Sequence, residues 1–384
     1  MTQTCLPVPV DRYLPPQAVA EMVRLIEGSG VVDDMLLWDQ LTHWWPQALW
    51  TEENTHLASW MRDSDSFADV FVMAGYLHAA APNLGTVIST DALRRGPAEL
   101  TQTMLTVANL TGGRSVFQIG AGEFKQAQPF GHRRSEGLAR WEDLFRTFHK
   151  FWDTDGPISH EGNKWTLDEA WIGLAKPHRP KLWALGGGPK LLDLTTSFAD
   201  GFSSMSPYVW RNPEHAHEVI SELKRGLEAK GRDVASFDFG LWPAVLIHDD
   251  EEVIEEAMRN PLLTWMTACF GRLPSGEWTK EGIEPIFPPN WHYAMKLLPV
   301  KWTKEECLDV CSKVSPEMAR KSWIAGTPAQ VAAELQRYVD AGVTWLAPCD
   351  ILPVVARDED PHQPIRRSIE VCRILKAPSP ARSR

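Results

Sequence analysis

The sequence predicts an α/β fold, a closed (β/α)8 TIM barrel of one domain over residues 1–384, with an insertion at about 271–316 and a Trp-rich loop after the second strand. Three observations carry this expectation. About eight strand-then-helix units alternate along the chain, and such alternation gives parallel strands joined by helical crossovers. The 384 residues suit a barrel of ~250 residues plus insertions better than two doubly wound halves, because no linker-like midpoint divides them. A dinucleotide-binding half would also open its first helix with G-x-G-x-x-G, and that pattern is missing.

The first unit is a strand over Thr4–Val10 and a helix entered through Pro15 and Pro16, with Val19, Met22, Val23 and Ile26 at helical spacing and Gly28 and Gly30 ending it. Asp34–Gln40, D-M-L-L-W-D-Q, is an apolar strand that ends in two polar residues. The stretch Leu41–Asp65 then far exceeds the ~2–6 residues of an ordinary βα loop and suits a covering loop. A helix over Ser66–Ala80, a strand over Leu84–Ser89 and a helix over Ala98–Leu110 lead to a strand that starts at Arg114. Glu136–Trp152 places Leu138, Trp141, Leu144, Phe145 and Phe148 on one helix face. Pro157–Trp171 alternates as a surface hairpin, Lys181–Gly186 is a short buried strand, and a helix runs on through Phe198. Next come a strand over Ala199–Ser206, a helix over Pro213–Gly231 and a strand over Phe237–His248, where Pro243 points to a central bulge. One helix is expected over Asp250–Thr267, after which Gly271–Pro316 breaks the rhythm with Pro and Trp. Thr327 as N-cap and Pro328 in the first turn restart it. That helix reaches Ala341, and a strand over Thr344–Asp350 and a helix over Ile365–Leu375 close the series.

Composition bounds the function. A chain with 43% hydrophobic and 23% charged residues buries a large core, and its formal net charge of -11 argues against nucleic acid as the main partner. No apolar run reaches the ~18–20 residues that span a bilayer, and the N-terminus lacks the layout of a secretory signal, so a cytoplasmic location is expected. The six cysteines, Cys5, Cys269, Cys307, Cys311, Cys349 and Cys372, form no C-x-x-C, which favours free thiols over a disulfide framework. Cys307 and Cys311 share a helix face, but no His or second Cys pair completes a metal site. Tryptophan is the outlier, 18 against five tyrosines. Many can serve a bulky core, but several fall in loop-like stretches (Trp44, Trp45, Trp50, Trp60, Trp278, Trp291, Trp302), where a monomeric core has less use for them and where they suggest a large apolar pocket or an oligomer interface. Symmetry makes a homodimer the commonest oligomer.

Chemistry concentrates at strand ends. In R-S-V-F-Q-I-G-A-G-E (Arg114–Glu123), an apolar run meets Gly120 and Gly122, which permit close backbone approach, and then an acid at the carboxyl end of the strand, the edge at which parallel barrels bind ligands. A tight turn with a solvated Glu123 would produce the same letters. Asp39 and Gln40 occupy the equivalent place on the second strand. Gly187, Gly188 and Pro189 free the backbone and preset a helix start, which is either an anion site or a plain helix N-terminus.

Taken in order, L-L-W-D-Q (Leu36–Gln40), L-G-T-V-I-S-T (Leu84–Thr90), G-G-R-S-V-F-Q-I-G-A-G-E (Gly112–Glu123), G-G-G-P-K (Gly186–Lys190), A-D-G-F (Ala199–Phe202) and G-T-P-A-Q (Gly326–Gln330) resemble the luciferase-like superfamily of flavin- and F420-dependent barrel oxidoreductases. The late region from Gly276 to Pro285 is most similar to the actinobacterial phthiodiolone ketoreductase group. The resemblance implies the deazaflavin coenzyme F420, with FMN as the alternative. It also implies a non-prolyl cis peptide on a bulged third strand at Val87–Ile88 behind the cofactor ring, and a ring-lining segment with an acid at Ala121, Gly122 and Glu123. Tail phosphates would meet Gly187 and Gly188, and Asp39 and Trp44 would stand near the ring. Related dehydrogenases follow the aspartate with a histidine as base for an alcohol proton, and here that position is Gln40. A carboxamide hydrogen-bonds a carbonyl but cannot take its proton, so reduction is favoured, with Gln40 orienting the acceptor, Glu123 or water supplying the proton and His43 as a possible substitute base. The expected activity is hydride transfer from reduced F420 to a hydrophobic small molecule, a bulky carbonyl or activated double bond. The alternatives are an FMN-dependent monooxygenase and a barrel that has lost catalysis but still holds an apolar ligand.

Overall fold

Short runs of branched and aromatic residues, each closed by a turn, become the staves of a parallel barrel in the computed structural model, which describes residues 2–377. In chain order they are β1 (Gln3–Pro7), β2 (Asp34–Trp38), β3 (Gly85–Asp91), β4 (Ser115–Gly120), β5 (Lys181–Leu185), β6 (Gly201–Ser206), β7 (Asp238–Ile247) and β8 (Trp345–Leu346). Each pairs in parallel with the next, and β8 pairs with β1, so the barrel closes without an edge. The outer layer includes α1 (Pro16–Gly28), α2 (Val70–Ala80), α3 (Pro97–Leu110), α4 (Gly137–Asp153), α5 (Pro189–Phe198), α6 (Pro213–Ala229), α7 (Pro328–Asp340) and α8 (Gln363–Lys376). Caps set several of these bounds. Asp69 accepts from the N–H groups of Phe71 and Val72, and Thr327 and Gln330 form a reciprocal capping box before α7.

Alternation along the strands sorts their side chains into two cores. On β2, Met35 and Leu37 join the large layer between barrel and helices, whereas Leu36 points inward with Cys5, Val87, Trp183, Trp242 and Trp345. Trp183 and Trp345 meet edge-on inside, 5.4 Å between ring centroids. Their bulk explains Gly201 and Gly240, where an added Cβ would fall 2.6 Å and 2.8 Å from the Trp183 ring. Trp345 Nε1 also donates to Asp34 Oδ2 at 2.9 Å, and burial pushes that carboxyl up to about 6.

A third apolar body sits apart from these two. The 41–65 loop and residues 254–323 fold onto one another, with Trp45, Trp50, Trp265 and Trp323 buried among Leu262, Leu263 and Phe270. Their polar atoms are tied across the same seam: Trp45 Nε1 donates to Leu262 O (3.2 Å), Trp265 Nε1 to Trp44 O (3.0 Å) and Asn260 Nδ2 to Asn54 O (2.8 Å). Several loop tryptophans expected at a pocket or interface, Trp45 and Trp50 among them, are thus the core of this third body. Trp60 remains exposed.

Three local expectations are corrected. Pro243 causes no bulge, because β7 is continuous from Asp238 to Ile247. Its missing N–H falls where the neighbouring strand breaks, since β8 pairs with Gly240 and Leu241 and the chain resumes pairing only at Cys349 with Ala244. The same break divides the expected Thr344–Asp350 strand. The Asp250–Thr267 helix is two helices, Glu251–Arg259 and Pro261–Phe270, since the residue before a proline avoids helical geometry and Asn260 instead caps the second helix.

Asp350 lies just beyond the break in β8. Its Oδ1 accepts from Ile247 N (3.3 Å) and Leu352 N (3.1 Å), its Oδ2 has no protein partner, and burial pushes the group from 3.8 to about 7. An acid whose folded pKa is raised binds more protons folded than unfolded, so its contribution to stability is present below 3.8 and is lost as pH rises toward about 7. Asp350→Asn is therefore expected to melt higher than the parent at pH 8 and level with it near pH 4. A variant no more stable at pH 8 contradicts the assignment.

Candidate active site

Past Trp38, the chain leaves the ladder at the carboxyl rim and places Asp39 in a nest of cations. Thr90 Oγ1 donates to Asp39 Oδ2 at 2.7 Å, Arg95 ion-pairs with the same oxygen, and Arg94 Nη2 lies 3.0 Å from it while also donating to Asp39 O at 2.5 Å. Arg94 Nε reaches Asp91 Oδ2 at 2.5 Å. Burial works against the Arg94 charge, but Asp91 and Asp39 outweigh it and hold its pKa above the ordinary value. Asp39 is thus a clamped structural anion on the cavity wall. Arg94 and Arg95 are not among the site residues expected from the sequence; two arginines directly after a strand end are the signal that was available.

The rim of β4 carries Gly120, Ala121, Gly122 and Glu123. Gly122 has φ +87°, and a Cβ there would meet Leu93 Cδ1 at 2.4 Å, so the turn needs glycine. Glu123 faces the cavity, and its Oε2 lies 3.0 Å from Lys125 Nζ. Lys125 is 1% exposed, and burial pulls its ammonium down against the upward pull of Glu123. Its Nζ also donates to Thr42 O at 2.6 Å and reaches Gln40 Oε1 at 3.5 Å. Gln126 adds two ties to the same stretch, accepting from Leu41 N (2.8 Å) and donating to Thr42 O (2.9 Å). The turn after β4 therefore holds the chain after β2 in place. Nothing in the sequence pointed to Lys125, which looked like a surface lysine two residues past the acid.

Asp39, Thr90, Asp91, Glu123 and Gln126 line a cavity of about 630 Å³ at the barrel rim, with Arg94, Arg95 and Lys125 behind its wall. Asp39, Gln40, Ala121, Gly122, Glu123, Gly187 and Gly188 all reach it. Gly188 is the N-cap of α5, with Pro189 opening the helix and Lys190 on the wall beside it. The lining also includes apolar Trp38, Trp44, Trp242 and Met266, while the 271–316 segment contributes Leu273, His292 and Tyr293. The indole N–H groups of Trp38, Trp44 and Trp242 are buried without a hydrogen-bond partner. Burial, with Arg134 nearby, pulls His292 down to about 4, and burial with Glu123 nearby pushes the Tyr293 phenol up. Both ring systems are therefore neutral near pH 7.

Other expected site residues lie elsewhere. His43 is stacked on Trp45 (3.9 Å between centroids, 8° apart in plane) and on Phe67, away from the cavity, and burial keeps its imidazole well below 6.5. It is no substitute base. Val87 belongs to the barrel interior and Ile88 to the outer layer. Their peptide is not cis: among the described residues the cis bonds are Ser206–Pro207 and Leu273–Pro274. A trans backbone lets β3 pair without interruption to both β2 and β4, which a non-prolyl cis bond would have to offset at ~3–4 kcal/mol. Ser89, Thr90 and Asp91 are the β3 residues that reach the cavity. All six cysteines are free, and no group of three or more His, Cys, Asp or Glu among the described residues could hold a metal ion.

Comparisons with known proteins agree with this geometry. The sequence pattern of the luciferase-like monooxygenase family matches residues 16–344. A phthiodiolone/phenolphthiodiolone dimycocerosates ketoreductase of Mycobacterium tuberculosis is 26% identical over 345 residues, 88% of each chain. An F420-dependent glucose-6-phosphate dehydrogenase of Kineococcus radiotolerans is 26% identical over 268 residues, covering 68% of this chain and 70% of the relative. Among solved structures, an F420-dependent secondary alcohol dehydrogenase bound to an F420-acetone adduct has the same fold, with TM-score 0.69 and 17% identity over 98% of this chain and 99% of that one. A long-chain alkane monooxygenase does likewise, with TM-score 0.67 and 13% identity over 97% and 91%.

The cation nest yields a direct test. Asp39→Ala removes one of the two acids that neutralise the buried Arg94 guanidinium, and breaking a buried ion pair from one side costs about 3–5 kcal/mol. Urea unfolding should register a loss of that order. A change below about 1 kcal/mol would mean that Asp39 is not part of the scaffold.

Proposed function

We propose that this chain, which belongs to the luciferase-like monooxygenase family, is an oxidoreductase that uses reduced coenzyme F420 to reduce an apolar or bulky carbonyl or activated double bond. The observation that carries the reading is the mixed lining of the cavity, which joins a polar, glycine-rich set (Asp39, Gln40, Gly122, Glu123, Gly187 and Gly188) to tryptophan and aliphatic side chains. Relatives whose names specify F420 dependence or ketone reduction support the cofactor and the direction.

The residues present suit a flat ring with a phosphorylated tail. Side-chain-free Gly122 permits close approach of a planar group, and the partnerless indole N–H groups of Trp38, Trp44 and Trp242 offer donors. The N-terminus of the 10-residue helix α5, with Lys190 beside it, supplies backbone N–H groups and positive charge for phosphate. When bound, reduced F420 supplies the hydride. The chain's own part is to hold the acceptor against the polar wall, exclude water with the Trp-rich body and fix Gln40 beside the reacting oxygen. Gln40 cannot take an alcohol proton, and burial that pulls His292 on the cavity lining down to about 4 leaves it a weak base, which supports reduction over oxidation.

We also take the protein to be a cytoplasmic homodimer. Free thiols suit a reducing compartment, and no described helix is long and apolar enough to cross a membrane. The dimer face would be α2 with α3. Their sequences contain no Lys or Arg and only one acid, Glu99, yet Val72 (72% exposed), Tyr76 and Leu110 stand out from them. On a chain of net charge -11, an uncharged apolar stripe is complementary chiefly to another copy of itself.

Titration by fluorescence quenching should give micromolar or tighter binding of F420 and much weaker binding of FMN. Reduced F420 should then be consumed when a hydrophobic ketone is added. Binding of FMN alone would favour an oxygen-using monooxygenase, and F420 binding without turnover across a ketone panel would favour a ligand-holding barrel. Light scattering should return twice the chain mass for the parent and a monomer for Val72→Glu; a monomeric parent would remove the dimer.

A further inference from the structure

Lys125 is not on the cavity wall. It lies behind it, and its ammonium donates to Thr42 O at 2.6 Å and to Gln40 Oε1 at 3.5 Å while ion-pairing with Glu123 Oε2 at 3.0 Å. An ammonium has no acceptor to offer, so only the carbonyl end of the Gln40 carboxamide can face it. The amide nitrogen must then point the other way, toward the cavity that Gln40 lines. Gln126 holds the adjoining backbone through Leu41 N and Thr42 O, so the side chain cannot swing out with its loop. Among the described residues, Gln40 Nε2 donates to no protein group.

We propose that Lys125 is a positioning residue which, by holding Gln40 Oε1, aims Gln40 Nε2–H into the cavity as the hydrogen-bond donor to the oxygen of a carbonyl acceptor. The inference rests on the reductase reading and narrows its substrate class to ketones and aldehydes. In the step it would serve, the carbonyl carbon gains a C–H bond from the hydride that bound reduced F420 would supply, the donor's own C–H bond breaking as the coenzyme is oxidised. The C=O π pair moves to oxygen, where Gln40 Nε2–H meets the growing negative charge, and water supplies the proton that completes the alcohol. A donor preset at that point helps because it binds the oxygen more strongly as charge develops, and removing one such donor elsewhere costs roughly 10²–10³ in kcat. The same ammonium neutralises Glu123, so that carboxylate does not repel the charge forming beside it.

The test uses the F420-loaded protein and an aryl ketone. Gln40→Glu keeps the shape and the bond to Lys125 but replaces the N–H donor with oxygen, and Lys125→Met keeps much of the stem but loses all three donors. Each is expected to lower kcat by about 10²-fold while leaving F420 affinity within about twofold. In a Gln40→Ala background, Lys125→Met should have no further effect on kcat. A second readout needs no turnover: with oxidised F420 bound, the infrared C=O stretch of the ketone should move to lower frequency in the parent and return toward its solution value in both variants. An unchanged stretch in the variants, or equal additional slowing by Lys125→Met without Gln40, overturns the proposal. Failure of the parent to bind F420 would instead overturn the reductase reading, so the two failures are distinguishable.

Discussion

The functional rim depends on charges that are buried and must stay paired. Because every strand of the barrel runs the same way, all carboxyl ends emerge on one side, and the polar residues that follow them are crowded into a small, poorly hydrated space. Two cross-ties make that crowding tolerable. Asp39 from β2 and Asp91 from β3 share Arg94, and Glu123 from β4 is joined through Lys125 to Gln40 and Thr42 after β2. An isolated buried charge would cost several kcal/mol, whereas a paired and hydrogen-bonded one is held in place by the same surroundings that desolvate it. Each tie also joins a different pair of strand ends, so the polar wall is fixed in shape before any ligand meets it.

Besides that wall, the structure spends hydrophobic surface in an unusual place. The Trp-rich loop after β2 and the 254–323 region form an apolar body of their own, in which the Trp45 and Trp265 N–H groups are tied to backbone carbonyls across the seam. The cavity is lined both by residues of this body and by the strand ends, which gives it apolar and polar lining together. Such a space suits a reaction in which water must be kept from a hydride donor while one oxygen of the acceptor is gripped. His43 belongs to the apolar body, stacked between rings, and this explains why closeness in sequence to Gln40 did not bring it to the chemistry.

Much of this was legible in the sequence because it rests on local periodicity. The alternation of apolar strands and amphipathic helices specified the barrel, and the glycine turns after β4 and β5 marked where backbone meets cavity. What escaped depends on partners distant in the chain. Pro243 is tolerated only because the strand beside it breaks at the same level; Asn260–Pro261 is the exception, where local backbone preference overrides periodicity and divides one apolar run into two helices. Lys125 reads as a surface lysine until Thr42, some eighty residues earlier, is brought within 2.6 Å. Val87 and Ile88 were placed at the ring by resemblance, yet their continuous ladders keep them in the walls of the barrel, two residues short of the rim.

The central claim is that a deazaflavin hydride is delivered across this cavity to a carbonyl carbon held by the polar wall. The most direct measurement is isotope transfer, with reduced F420 carrying deuterium at its hydride position and a hydrophobic ketone as acceptor. The account predicts an alcohol with deuterium on the carbinol carbon in a single configuration. An alcohol free of deuterium, or a product that has gained oxygen from O2, would contradict it.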